Sequence, residues 1–372
     1  MAVGASGATD GRRAMGTLAS VIERSQSFIG TQFDRLLISS AKIHARISPA
    51  TNEHDSTARM EQWMSFYLSD PFLSEPASFF TFPQRAPNVT ILEERPFFDG
   101  RRRIYCYPSG YKVRNPAFED FFDRFIYNKT AYFVHWSHAG SGGNRNTIVC
   151  CHGWSLGDPA QAERMFNIPR LYSLGLDVAL FITPFHWRRA ASRPERIAPP
   201  FPFRHPILGI EGFGQTVHDL SSCLLFLKER GAARIGLIGA SLGGYIAALF
   251  VSLARLAELV ALVVPLVRFE GLRVPLRPVI REPGSRASFR EKLVRLWRIH
   301  SPLSYRCTLP ASSCLIIASQ GDRLCPFEDV LTLYEHWGRP NHLFLRGGHA
   351  LFFPRSARGK AWYGFLQANG FI

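Results

Sequence analysis

The chain has 372 residues, 46% of them hydrophobic and 20% charged, and a formal net charge of +15. The length allows one large α/β domain with additions, or two domains, and the apolar fraction is ordinary for a soluble protein. No apolar run reaches the roughly 18 residues a membrane span needs, and no basic helix, finger or RNA-binding motif accompanies the positive charge, so nucleic acid is not an expected partner.

The start, Met1-Ala2-Val3-Gly4-Ala5-Ser6-Gly7, lacks the charged end and apolar core of a secretory signal. Residues 1–13 are rich in Ala, Gly and Ser and read as disordered. A helix is expected within 14–45, with Leu18, Ile22, Phe28 and Phe33 among polar residues. After a polar break at 50–56, Met60, Trp63, Met64 and Tyr67 repeat at helical spacing over 57–69. Early strands are expected at 89–92 and 103–107, with Asp99-Gly100 as the turn between them. Phe118, Phe121, Phe122 and Phe125 share one face of a helix expected over 115–127. Strands follow at 132–136 and 147–151, then a mostly helical stretch over 162–174, broken or kinked near Pro169, and a strand at 177–183. Val217, Leu220, Leu224 and Leu227 mark a helix over 214–230. Short apolar strand segments then recur at 233–238, 259–266, 315–319 and 342–345, and 288–297 is an amphipathic helix. Strands alternating with helices imply a mostly parallel sheet covered on both faces. Ligands in such sheets bind beyond the carboxyl ends of the strands.

One of those strand ends carries a chemical motif. Ala233–Ile238 runs into Gly239-Ala240-Ser241-Leu242-Gly243 and then into the apolar helix Tyr245–Val251. A strand, a sharp Gly-x-Ser-x-Gly turn and a helix expose one serine hydroxyl. Gly239 and Gly243 lack the Cβ that would crowd the turn. Leu242 opens the helix, so its N–H has no partner inside it. That donor and the helix dipole suit an oxyanion beside Ser241. The bare pattern arises by chance about once in eight chains of this length, so the weight lies in its flanks.

A serine hydroxyl needs a base to take its proton and a carboxylate to orient that base. In this arrangement the chain order is Ser, acid, His. Leu315–Ser319 ends in Gln320-Gly321-Asp322, and His342–Leu345 ends in Arg346-Gly347-Gly348-His349. Ser241, Asp322 and His349 thus appear in order, each just past a strand. Taken alone, Asp322 would be a turn or cap residue and His349 a loop histidine; Glu270, after the apolar run 259–266, is a rival acid. A second oxyanion donor is expected after Thr147–Cys151, where the N–H of Trp154 follows His152-Gly153. His152 is expected to brace that loop. There is no His-Glu-x-x-His or clustered His/Asp pattern for a metal and no phosphate-binding Gly-rich signature, so no cofactor and no metal are expected.

These motifs resemble those of the alpha/beta-hydrolase fold serine hydrolases, over roughly residues 130–372. Phe185-His186-Trp187-Arg188-Arg189 is similar to a Pro-Phe-x-x-Arg-Arg-like loop of alpha/beta-hydrolase domain-containing proteins with an extended N-terminal region. The resemblance implies an α/β fold with a mostly parallel central sheet, helices on both faces, an N-terminal helical extension and a small cap insertion. It also implies an acyl-enzyme on Ser241 and cleavage of a carboxylic ester, the class including lipid esters and thioesters. The same triad would serve an acyltransferase, and the same fold a non-catalytic module on anionic lipid surfaces. The extension is expected over 1–55 and the hydrolase domain over 56–372. Cap or lid segments are expected at 184–213 and 267–313, the second rich in arginine. The alternative for it is a connecting helix with solvated arginines. Seven scattered cysteines, odd in number and without a C-x-x-C pair, fit a reducing cytoplasm. A small-molecule or lipid acyl substrate and peripheral contact with an anionic membrane complete the expectations.

Overall fold

The computed structural model describes residues 34, 57–140, 144–192, 195–196, 199–203, 205–270, 283–350, 352–353 and 355–372. Among them, ten strands form one sheet: β1 (Thr90–Phe97), β2 (Gly100–Pro108), β3 (Thr130–Ser137), β4 (Arg145–Cys151), β5 (Asp177–Phe181), β6 (Ala232–Ala240), β7 (Leu259–Val263), β8 (Cys314–Ser319), β9 (Asn341–Gly347) and β10 (Phe352–Phe353). Their spatial order is β1-β2-β3-β5-β4-β6-β7-β8-β9-β10. The run from β5 to β9 is parallel. Antiparallel strands extend both edges. The fold is α/β, with the mostly parallel sheet that the alternation of elements implies.

The central strands read as unbroken apolar runs because both of their faces are buried. Ile148 and Cys150 of β4 enter one core layer, Val149 and Cys151 the other. The same alternation divides Leu259, Ala261 and Val263 from Val260 and Leu262 on β7. Cys150 and Cys151 therefore act as small apolar side chains on opposite faces. All seven cysteines are free.

The helices are α1 (Thr57–Tyr67), α2 (Glu119–Asp123), α3 (Pro159–Met165), α4 (Ile168–Ser173), α5 (Pro206–Glu229), α6 (Leu242–Leu253), α7 (Pro283–Trp297), α8 (Phe327–His336) and α9 (Arg355–Ala368). Side chains of α1, α5, α6, α7 and α8 fill one core layer. Those of α3, α4 and α9 fill the other. Among the described residues no helix is long and apolar enough to cross a membrane.

Three boundaries differ from the sequence expectation. The helix expected over 115–127 is only the short α2, between 3-10 turns at Pro116–Phe118 and Ile126–Lys129. Phe118, Phe121 and Phe122 are buried as their spacing implies, and Phe125 is half-buried. The chain then turns so that the Asn128 side chain meets Gln215 and Arg189 in the interior. The helix expected over 162–174 starts earlier, at Pro159, and is two helices, broken at Asn167, close to Pro169 as expected. Asn167 is left-handed, with φ 52°, and Pro169, which has no N–H to donate and whose ring would press on the carbonyl four residues back, keeps α3 from running on. α5 starts at Pro206, eight residues before the expected position, capped by His205, whose Nδ1 accepts the N–H of Leu208 at 3.2 Å. Residues 206–213, assigned from sequence to a cap insertion, are thus the first two buried turns of a core helix.

The expected N-terminal helix lies outside the described residues except for Asp34, which is helical and fully buried. In the arginine-rich insertion, residues 271–282 lie outside them too. The helix described there, α7, buries Leu293, Leu296 and Trp297 and leaves Arg290 and Arg295 exposed, as is Arg298 just past its end. Lys292 on it reaches Glu61 of α1 at 2.9 Å.

Candidate active site

Ser241 lies where β6 turns into α6, with φ 56° and ψ −117°. Such a conformation costs a non-glycine residue about 1–3 kcal/mol and persists only when its surroundings impose it. Here they do. The Ser241 N–H donates to the carbonyl of Val263 at 3.0 Å, and its carbonyl accepts from Leu266 at 3.0 Å and Tyr245 at 3.2 Å. A Cβ on Gly243 would strike the carbonyls of Cys151 and His152, and one on Gly239 would strike the carbonyl of Gly243. Both positions therefore require glycine.

β8 and β9 are parallel neighbours, so the loops leaving their carboxyl ends lie side by side. The first carries Asp322 and the second His349. The His349 ring spans the gap, with Nε2 3.0 Å from Ser241 Oγ and Nδ1 2.7 Å from Asp322 Oδ2. The other oxygen of Asp322 accepts the N–H groups of Leu324 at 2.9 Å and Cys325 at 2.8 Å. This turn aims the carboxylate and leaves Asp322 8% exposed. A carboxylate at Nδ1 holds the proton there, so Nε2 is free to accept from the serine hydroxyl. Burial by itself would lower the His349 pKa. The Asp322 charge and its hydrogen bond at Nδ1 outweigh that, and the ring is held well above the ordinary histidine value. Glu270, the rival acid, is exposed, and Asp322 takes the Nδ1 position.

The loop after β4 lies against the serine. An added Cβ on Gly153 would be 3.4 Å from Ser241 Cβ. His152 braces this loop, as expected from sequence. Its Nδ1 pairs with the Gly153 carbonyl at 2.8 Å, and its Nε2 accepts the Thr183 N–H at 3.2 Å. Burial pushes its pKa down to about 4, so the ring stays neutral in this tautomer. Trp154 follows and donates its indole N–H to the carbonyls of Phe201 at 3.1 Å and Pro199 at 3.3 Å. Its ring meets Phe203, which meets Phe269. An aromatic wall therefore starts at the residue expected to supply one oxyanion N–H. The other expected donor, Leu242, is the first residue of α6.

Two residues beside the site carry no sequence signal that marks them. The thiol of Cys325 lies within 4.8 Å of ligand atoms of both Asp322 and His349. Burial raises its pKa, which keeps it a neutral thiol. Both His349 nitrogens are engaged within the triad, so a metal there would have to break one of those bonds. Asp34 touches the same two loops from the N-terminal extension. Its partners are hundreds of residues away, and no local pattern links them.

No family model matches the chain. Two Mycobacterium tuberculosis proteins, Uncharacterized protein MT2702 of strain CDC 1551 / Oshkosh and Uncharacterized protein Rv2627c of strain ATCC 25618 / H37Rv, are each 30% identical over 325 residues. These matches cover 83% of this chain and 74% of theirs. Among solved structures, an acetyl xylan esterase from Paenibacillus sp. R4 is similar at a TM-score of 0.53 and 16% identity. That likeness covers 87% of this chain and 98% of the esterase.

Proposed function

This chain belongs to the family of the two mycobacterial proteins and has the alpha/beta-hydrolase fold, and on that premise we propose that it is a serine hydrolase acting on carboxylic esters through an acyl-enzyme on Ser241. The observation that carries the proposal is the His349 ring bridging Ser241 Oγ and Asp322 Oδ2 at hydrogen-bond distance on both sides. Each step follows from that bridge. Ser241 Oγ attacks the acyl carbon while His349 Nε2 takes its proton. Asp322 stabilises the imidazolium that results. The negative charge on the former carbonyl oxygen meets the N–H groups of Leu242 and Trp154 and the positive end of the α6 dipole. Collapse expels the alcohol, protonated by His349. A water molecule, deprotonated by the same ring, then attacks the acyl-serine and releases the acid.

The aromatic wall from Trp154 through Phe203 to Phe269 favours an ester with an apolar group over a purely polar one. An esterase among the fold neighbours agrees with this class. The test is turnover of p-nitrophenyl butyrate by wild type and Ser241→Ala. The expected loss of kcat is about 10⁴-fold or more. Equal turnover by the two proteins would remove Ser241 from the chemistry.

A further inference from the structure

Asp34 belongs to the N-terminal extension, yet its carboxylate ends between the loops that carry the acid and the base. One oxygen accepts the N–H of Arg323 at 3.0 Å, and both accept the N–H of His349, at 2.8 and 2.9 Å. Arg323 is the residue after Asp322, and His349 is the base itself. The side chain is fully buried. A single anion thus receives backbone donors from two loops, 289 and 315 residues away in sequence.

We propose that Asp34 is a positioning residue of the triad, which locks the acid loop to the base loop and adds a second negative charge beside His349. The inference rests on the triad reading above. Two physical arguments support it. A catalytic base has to be held to within about 0.5 Å of its productive place by supporting bonds. Here the backbone of His349 is anchored by Asp34 while its ring is anchored by Asp322. The second argument is charge. When the serine proton moves to Nε2, the imidazolium that forms faces Asp322 at Nδ1, the Ser241 oxygen at Nε2 and the Cys325 thiol beside the ring. Asp34 adds an attraction from the backbone side. Burial raises the Asp34 pKa, while the N–H groups of Arg323 and His349 oppose that rise. Both oxygens act as acceptors, which suits the ionised form. An amide in its place would keep an acceptor and lose the charge.

The two loops are therefore completed by a segment from the far end of the chain. Without it, β8 and β9 would still set the loops side by side, and nothing described in either loop would replace the shared anchor.

The test uses the full-length chain with ¹⁵N-labelled histidine, as wild type, Asp34→Asn and Asp34→Ala, each checked for folding by circular dichroism. Two quantities are read: the pH at which the His349 ring titrates, assigned by its absence in His349→Gln, and the rate of covalent labelling by a fluorophosphonate probe. In Asp34→Asn the ring is expected to titrate at lower pH than in wild type, because a charge that favours imidazolium is gone. Labelling is expected to slow by about tenfold, and further in Asp34→Ala. A role confined to stability would move neither the titration nor the labelling of folded protein. An unchanged His349 titration in folded Asp34→Asn overturns the proposal. If Asp34→Ala does not fold, the near-isosteric Asp34→Asn decides alone. If folded wild type is not labelled at all, the serine-hydrolase reading fails, and the titration still decides the role of Asp34.

Discussion

At the scale of single residues, the site depends on side chains held in places they would not take by themselves. Ser241 sits at a positive φ because Val263 and Leu266 clamp its backbone. Gly243 allows this by leaving room for the carbonyls of Cys151 and His152. Gly243→Ala is expected to destabilise the fold by about 1–3 kcal/mol, as overpacking does, and to displace the serine; urea unfolding and ester turnover measure the two effects. The pH profile follows from His349. The reaction needs its neutral ring, and its pKa is raised, so kcat/KM rises with pH through a midpoint above the ordinary histidine value of about 6.5. A limb at or below that value contradicts the assigned environment. His152 acts differently. His152→Ala leaves the Thr183 N–H and the Gly153 carbonyl without their partner. It is expected to lower kcat by about 10–100-fold through the displaced oxyanion loop while leaving that limb in place. The places of the proposed serine, acid and base were legible in the sequence because each motif is local, a few residues around a strand end. Asp34 was not, because its bonds to Arg323 and His349 exist only in the folded chain.

At the scale of elements, the strands were more legible than the helices. A strand buried on both faces shows an unbroken apolar run, and β4, β6, β7 and β8 were all readable that way. The helices misled where packing overrides spacing. The phenylalanines of 115–127 have helical spacing, yet the chain breaks into 3-10 turns to bring Asn128 inside. The first turns of α5 fall in a stretch rich in Pro, Phe and Arg that reads as a cap insertion, yet they pack on Phe201. The loop after β5 shows what binds such segments. Arg189 is buried and donates to Asp219 at 2.8 Å, to the Asn128 side chain at 3.1 Å and to the carbonyls of Asn128 at 2.9 Å and Ile182 at 3.2 Å. Removing one partner of a buried pair leaves the other uncompensated. Arg189→Ala is therefore expected to cost about 3–5 kcal/mol, read as a lower urea midpoint. A change below about 1 kcal/mol would mean that the pair is not load-carrying for stability.

At the scale of the whole molecule, one sheet brings three strand ends distant in sequence to its carboxyl-end side, between the two core layers. His152 and His300 are buried, and the half-buried His135 on β3 has little access to water at its ring. Burial lowers the pKa of His135 and His152 to about 4 and that of His300 to about 3. An unfolded histidine titrates near 6.5. Below that pH the unfolded chain binds protons that the folded chain refuses. The contribution of these three rings is thus full above about pH 6.5 and falls as the pH drops toward about 4, by about 1.4 kcal/mol per pH unit for each proton held only by the unfolded state; His349, with its raised pKa, acts in the opposite sense. Thermal melting from pH 7 to pH 4.5 checks this; a flat melting temperature would show that these rings accept protons in the folded state.

The most direct measurement is intact-mass analysis after exposure to a fluorophosphonate, on wild type and on Ser241→Ala. The probe forms a P–O bond to an activated serine and expels fluoride. A single adduct on wild type, mapped to Ser241 and absent from the alanine variant, is the predicted result. Folded wild type that gains no adduct, or a variant that gains the same one, would contradict the account.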